Sequence, residues 1–128
     1  MARIVVAEDD RTVQSLLVVF LSEEGHVVLP FLDGKAALDH LKDLKNPLPD
    51  VIISDVMMPR MDGYTFHAAL LQDERTKGIP FVVITSKGAL EPSFQASPNF
   101  AGFAEKPFDL LKLRQTIAKA VAKGSPPR

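Results

Sequence analysis

Pro49-Asp50-Val51-Ile52-Ile53-Ser54-Asp55-Val56-Met57-Met58-Pro59-Arg60-Met61-Asp62-Gly63 carries a strand, a loop and a helix start in direct succession. Val51 to Ile53 is a β-branched apolar run, the pattern of a short strand buried on both faces. Asp55 follows almost at once, where such a strand leaves its sheet. Pro59 biases Met58 away from helix, so Met57-Met58-Pro59 forms a loop. Asp62-Gly63 closes that loop, and Asp62 suits the N-cap of a helix beginning near Tyr64. An ionised carboxylate at the mouth of a buried strand is costly unless something there uses it. What else converges on Asp55 is therefore the question put to the rest of the chain.

Toward the N-terminus, Ile4 to Ala7 is a second continuous apolar run, followed directly by Glu8-Asp9-Asp10. Val13, Leu16, Leu17, Phe20 and Leu21 then recur with helical period. Asp10 suits the N-cap of that helix and Gly25 its end. Val18 and Val19 fall partly off the stripe, as a widened core face or as a partner surface. Val27-Val28-Leu29 is a strand, and Pro30, which cannot donate to a ladder, places it at a sheet edge. Asp33-Gly34 marks a turn. Ala37, Leu38 and Leu41 mark a helix, and Asn46-Pro47-Leu48-Pro49 is the loop into the central strand.

Toward the C-terminus, Phe66, Ala69 and Leu70 mark a third helix ending before Gly78-Ile79-Pro80. Phe81 to Ile84 is a strand closed by Thr85 and Ser86. Pro92 and Pro98 limit any helix between Gly88 and Phe100 to a turn or two. Gly102-Phe103-Ala104 reads as a short last strand before Glu105-Lys106-Pro107. Leu110, Leu113, Ile117 and Val121 form the stripe of a final helix. Residues 1–122 are expected to form one domain and 123–128 a tail or the start of a linker. The alternation of strand and helix predicts an α/β, doubly wound parallel sheet with helices on both faces and a short or irregular fourth helix. Ligands of such sheets bind at the carboxyl ends of the strands.

The totals exclude several classes. A chain of 128 residues, 46% of them apolar, suits a single core. A net charge of -1 gives no electrostatic footprint for nucleic acid by this chain alone. There is no cysteine, so neither a disulfide nor a thiolate metal site is available, and a reducing cytoplasm is the expected location. No apolar run approaches the roughly 20 residues of a membrane span, so no membrane association is expected. Met1-Ala2-Arg3 leads straight into Ile4-Val5-Val6, a run too short for a signal-peptide core.

The residues just after successive strands are Glu8, Asp9 and Asp10, then Asp55, then Thr85 and Ser86, then Lys106. In a parallel sheet they share one edge. Carboxylates gathered there raise one another's pKa, and a hard cation such as magnesium relieves the repulsion with all-oxygen ligands. A lysine and a hydroxyl at the same edge complete a site for a phosphoryl group, with Asp55 as nucleophile. Singly, each residue has a plainer explanation: a turn or cap for Asp55, a dipole-favoured helix start for Glu8 to Asp10, a surface lysine, a strand-end hydroxyl. Their joint placement favours the site.

Four segments in order resemble the receiver domain of two-component response regulators, over Ile4 to about Val121. They are Ile4-Val5-Val6-Ala7-Glu8-Asp9-Asp10, Asp50 to Gly63, Val83-Ile84-Thr85-Ser86, and Glu105-Lys106-Pro107-Phe108. The resemblance implies five strands in the order 2-1-3-4-5 and a phosphoryl group accepted on Asp55 from a histidine kinase or histidine phosphotransfer protein, for an unknown downstream protein. It implies a magnesium ion held by Asp9 directly, Glu8 through water, Asp55 and the Met57 carbonyl. Thr85 matches the switch hydroxyl, Lys106 the phosphate-contacting lysine and Phe103 the aromatic switch, where many relatives carry tyrosine. The Lys106-Pro107 bond is expected to be cis. Lys87 matches a position that tunes the lifetime of the phosphoryl group. The prolines between Ser86 and Phe100 depart from the family's regular fourth helix.

Such a chain is not an enzyme beyond its own phosphorylation and dephosphorylation. An aspartate-nucleophile phosphohydrolase would want a second carboxylate where Met57 stands. A flavodoxin-like nucleotide module would want glycine or hydroxyls where Glu8-Asp9-Asp10 stand. A receiver that binds partners without phosphorylation is the remaining alternative.

Overall fold

Apolar strands with no polar face must be covered on both sides, and that requirement orders the chain. In the computed structural model, which describes residues 1–86 and 92–124, five strands pair in parallel in the order β2-β1-β3-β4-β5. They are β1 (Arg3–Ala7), β2 (Val27–Phe31), β3 (Val51–Asp55), β4 (Phe81–Ser86) and β5 (Phe100–Lys106). The helices between and after them are α1 (Arg11–Glu23), α2 (Gly34–Lys42), α3 (Gly63–Leu71), α4 (Pro92–Gln95) and α5 (Leu110–Gly124).

Alternate side chains of the three inner strands feed two cores. Ile4, Val6, Val51, Ile53, Val82 and Ile84 pack beneath Leu17 and Leu21 of α1 and Leu113 and Ile117 of α5. Val5, Ala7, Ile52, Phe81 and Val83 pack beneath Leu38 and Leu41 of α2 and Phe66 and Leu70 of α3. The strand carrying Pro30 is at the edge, as its missing N–H requires. Register then aligns the carboxyl ends, with Ala7 beside Ser54, Asp55 beside Ile84, and Ser86 beside Lys106.

The helix starts follow the expected chemistry. Asp10 caps α1 by accepting from the Thr12 and Val13 N–H groups, and Asp62 caps α3 by accepting from Thr65. The buried face of α1 is narrower than its apolar stripe: Leu17 and Leu21 are buried, while Leu16 on the stripe is 45% exposed and Val19, at its margin, is 55% exposed.

One expectation is corrected. The last strand is longer than Gly102 to Ala104, because the Phe81 N–H captures the Asn99 carbonyl and pairing starts at Phe100. Phe81 pairs with Phe100 but Val82 with Gly102, so Ala101 is a bulge residue, and Gly102 takes φ 135. The final helix continues to Gly124, so position 122 falls inside its last turn. The fourth helix is short, as Pro92 and Pro98 require. It is anchored by buried Phe94, whose ring stacks 5.0 Å from Tyr64 and 6.0 Å from Phe81. Lys87 and the first part of that connection, and the tail from 125, lie outside the described residues.

Gly63 sits where α3 begins directly under β3. A Cβ there would overlap the Asp55 carbonyl oxygen and lie 2.9 Å from Val56 Cα, both rigid backbone. Gly63→Ala is expected to lower the unfolding free energy in urea by about 3 kcal/mol, the upper end for overpacking. Gly78→Ala, whose Cβ meets open space, is expected to stay within about 0.5 kcal/mol of wild type.

Candidate functional site at the carboxyl edge of the sheet

Three strands and one turn of chain bring four charged groups together. Lys106, the last residue of β5, places Nζ 2.9 Å from Glu8 Oε1 and 3.2 Å from Asp55 Oδ2. Glu8 follows β1 and is fully buried. Its Oε2 accepts from the Asp10 N–H at 3.1 Å. Its Oε1 meets the lysine as an ion pair but makes no hydrogen bond of good geometry. Asp55, half-buried at the end of β3, accepts from the Val56 N–H through Oδ1 at 2.7 Å. Asp9 stands exposed at the rim. Glu8, Asp9 and Asp55 each offer a carboxylate oxygen, all within 4.8 Å of one another.

Burial is the main force on Glu8 and pushes its carboxyl up to about 7, with the Asp55 carboxylate adding to the rise. The Lys106 ammonium and the Asp10 N–H pull the other way and do not win. Burial alone would pull Lys106 down, but Glu8 and Asp55 outweigh it and hold the ammonium above its ordinary range. Lys106 therefore stays charged, while Glu8 is poised to share a proton with its surroundings.

These donors fit a hard divalent cation. All are oxygens, they are close enough to share one ion, and one of them is a buried carboxylate oxygen without a hydrogen bond. Met57 lies in the loop after β3, two positions beyond Asp55, with its side chain 75% exposed. Thr85 is buried near the end of β4, and its hydroxyl donates to the Ser86 carbonyl at 3.0 Å. Phe103 of β5 is 39% exposed. The Lys106-Pro107 peptide bond is cis.

Sequence reasoning missed the supports around this cluster. Gln14 of α1 donates to the Glu8 and Phe31 carbonyls at 3.3 and 2.9 Å. Arg60 pairs with Asp33, the N-cap of α2. Asp33-Gly34 is visible as a turn signal, but nothing local to it points to an arginine after the third strand.

Residues 4–118 match the family of the response regulator receiver domain, and the chain belongs to that family. It is thus a receiver domain of the kind found in two-component response regulators. It is 32% identical, over 88% of its length, to 46% of the DNA-binding transcriptional regulator RpaA of Synechocystis. The chain spans about half the length of the first curated relatives it matches. The chemotaxis response regulator CheY4 of Vibrio cholerae superposes with a TM-score of 0.81 at 27% identity, covering 94% of this chain and 98% of that one. The receiver domain of a Pseudomonas aeruginosa sensor histidine kinase superposes at 0.82 with 21% identity, covering 94% and 98%. That structure has a magnesium ion coordinated in its active-site cleft. Among the described residues, no helix is long and apolar enough to cross a membrane.

The raised Glu8 pKa has a signed consequence for the metal-free protein. Between the unfolded value of 4.5 and about 7 the native state holds a proton that the unfolded chain has released. Stability is then lost as pH rises through that window. Lys106 stays protonated in both states there and adds no slope. Glu8 is thus expected to make the stability measured by urea unfolding in EDTA decline from pH 5.5 to pH 8, against an opposing gain from His26, whose imidazole burial holds below its usual range. Glu8→Gln is expected to flatten this decline, and an unchanged slope in that variant would contradict the assignment.

Proposed function

We propose that this chain is a phosphorylatable switch of a two-component relay, with Asp55 accepting the phosphoryl group of a histidine kinase or histidine phosphotransfer protein in the cytoplasm. The observation that carries this is Lys106 Nζ standing between Glu8 and Asp55, with Asp9 completing an oxygen cluster beside it. A nucleophilic carboxylate, a fixed cation and a set of hard-ion ligands are the parts that phosphoryl transfer asks of a protein.

In the proposed reaction an Asp55 carboxylate oxygen attacks phosphorus. The phosphorus–oxygen bond forms as the phosphorus–nitrogen bond to the donor histidine breaks, and the imidazole nitrogen leaves with the electron pair. Asp9, Asp55 and the Met57 carbonyl would hold magnesium directly, with Glu8 acting through water. Bound there, magnesium supplies positive charge to the phosphoryl oxygens. Lys106 exchanges its contact with the Asp55 carboxylate for one with a phosphoryl oxygen. Thr85 leaves the Ser86 carbonyl and donates to another. The space behind Thr85 then admits Phe103, which moves inward from its partly exposed position, and this is the change a downstream protein would read. Met57 cannot protonate a leaving group, which disfavours a phosphohydrolase. The chain's own reactions are the gain and loss of its phosphoryl group.

Incubation with acetyl phosphate and magnesium is expected to add the mass of one phosphoryl group to the intact wild-type protein. The gain is expected to vanish in EDTA and in Asp55→Asn. Modification of Asp55→Asn to the wild-type extent would place the acceptor elsewhere.

A further inference from the structure

The turn joining β2 to α2 lies one strand outside the site, yet it is bonded to both loops that form it. The Phe31 carbonyl accepts from the Glu8 N–H at 3.0 Å and from Gln14 Nε2 at 2.9 Å. This ties down the loop of Glu8 and Asp9. Two residues on, Asp33 is buried, and its Oδ1 accepts from the Ala36 N–H at 2.8 Å to cap α2. Its Oδ2 accepts from Arg60 Nε at 2.9 Å and from Arg60 Nη2. The Gly34 N–H donates to the Met61 carbonyl at 3.2 Å. A Cβ on Gly34 would stand 2.8 Å from that oxygen, so the close approach of turn and loop needs glycine.

Arg60 itself adopts φ 63, the left-handed region that a long side chain rarely occupies. Such a conformation persists where surrounding contacts over-determine it. An exposed ion pair contributes little, but here the carboxylate is buried and already fixed by its role as a cap. Burial would raise Asp33, yet the Ala36 N–H and the Arg60 guanidinium hold its carboxyl below the usual range.

Resting on the metal site proposed above, we infer that the Asp33–Arg60 pair positions it: the pair clamps the loop from Val56 to Gly63 against the turn after β2 and so fixes the Met57 carbonyl relative to Glu8 and Asp9. Arg60 and Asp33 are positioning residues. Neither is a metal ligand, and both act through backbone.

The test is a magnesium titration followed by NMR amide shifts, with urea unfolding of each variant measured in EDTA. Arg60→Asn keeps a residue that tolerates left-handed φ and removes the ion pair. It is expected to weaken magnesium binding about tenfold, the lower end of what outer supports of metal sites contribute. Arg60→Lys keeps the charge without the fork and is expected to bind with intermediate affinity; it serves as the readout should Arg60→Asn not fold. Asp33→Asn retains an oxygen for the Ala36 N–H, and adding it to Arg60→Asn is expected to weaken binding no further. Wild-type affinity in Arg60→Asn or, if that variant does not fold, in Arg60→Lys would overturn the inference, whatever the change in stability. Asp9→Asn separates the two claims: if it binds magnesium as wild type does, the metal site itself is wrong.

Discussion

The ammonium of Lys106 holds together chain ends that would otherwise repel. Glu8 and Asp55 terminate neighbouring parallel strands, and the same register that buries Val5, Val6, Ile52 and Ile53 forces their carboxylates into one small volume. Lys106 arrives from the other side of the sheet, 2.9 and 3.2 Å from the two. One cation faces two acidic groups and an exposed third; burial is the main force raising the Glu8 carboxyl, and the neighbouring Asp55 carboxylate adds to it. A site in this condition gains from a second cation and, once that is bound, from an anionic ligand.

Rigidity around the cluster comes from elements outside it. The sheet fixes where Asp55 and Lys106 leave their strands, but the ligands of a metal also depend on two loops. Gln14 braces one and the Asp33–Arg60 pair the other, and both lead back to the turn between β2 and α2. On the opposite side, His67 Nε2 lies 2.9 Å from Asn99 Oδ1, and Asn99 donates to the Ile79 carbonyl. That buried polar network, with Phe94 under the Tyr64 ring, fastens the short α4 connection to α3 where a longer helix would otherwise supply the packing.

Much of this was legible because it is local. An apolar run with a charged residue at its end identifies a buried strand and its exit; three of the five strands end this way, and in a parallel sheet their exits meet at one edge. Asp10 and Asp62 declare their caps by position. What depends on distant partners was not legible. Glu8 and Asp9 are neighbours in sequence and bring carboxylate oxygens within 4.8 Å of each other, yet Glu8 is buried and Asp9 exposed, a difference nothing in their local sequence announces. The Arg60 partner lies 27 positions away. The early start of β5 depends on the Asn99 carbonyl accepting from the Phe81 N–H, a partner 18 positions away in the chain. Leu16 has the period of a core residue and is nonetheless nearly half exposed, because α1 covers only a narrow strip of the sheet.

Membership of the receiver family and a cluster of this geometry converge on one central claim, that Asp55 is where a phosphoryl group is held. A crystal structure of the protein with magnesium and beryllium trifluoride, a mimic of the bound phosphoryl group, tests it most directly. The expected structure has beryllium bonded to an Asp55 carboxylate oxygen, magnesium on Asp9 and the Met57 carbonyl, Lys106 turned to a fluorine, and Thr85 released from Ser86. Beryllium trifluoride on another residue, or Lys106 still paired with Glu8 and Asp55 beside a ligand-free carboxylate, would contradict it.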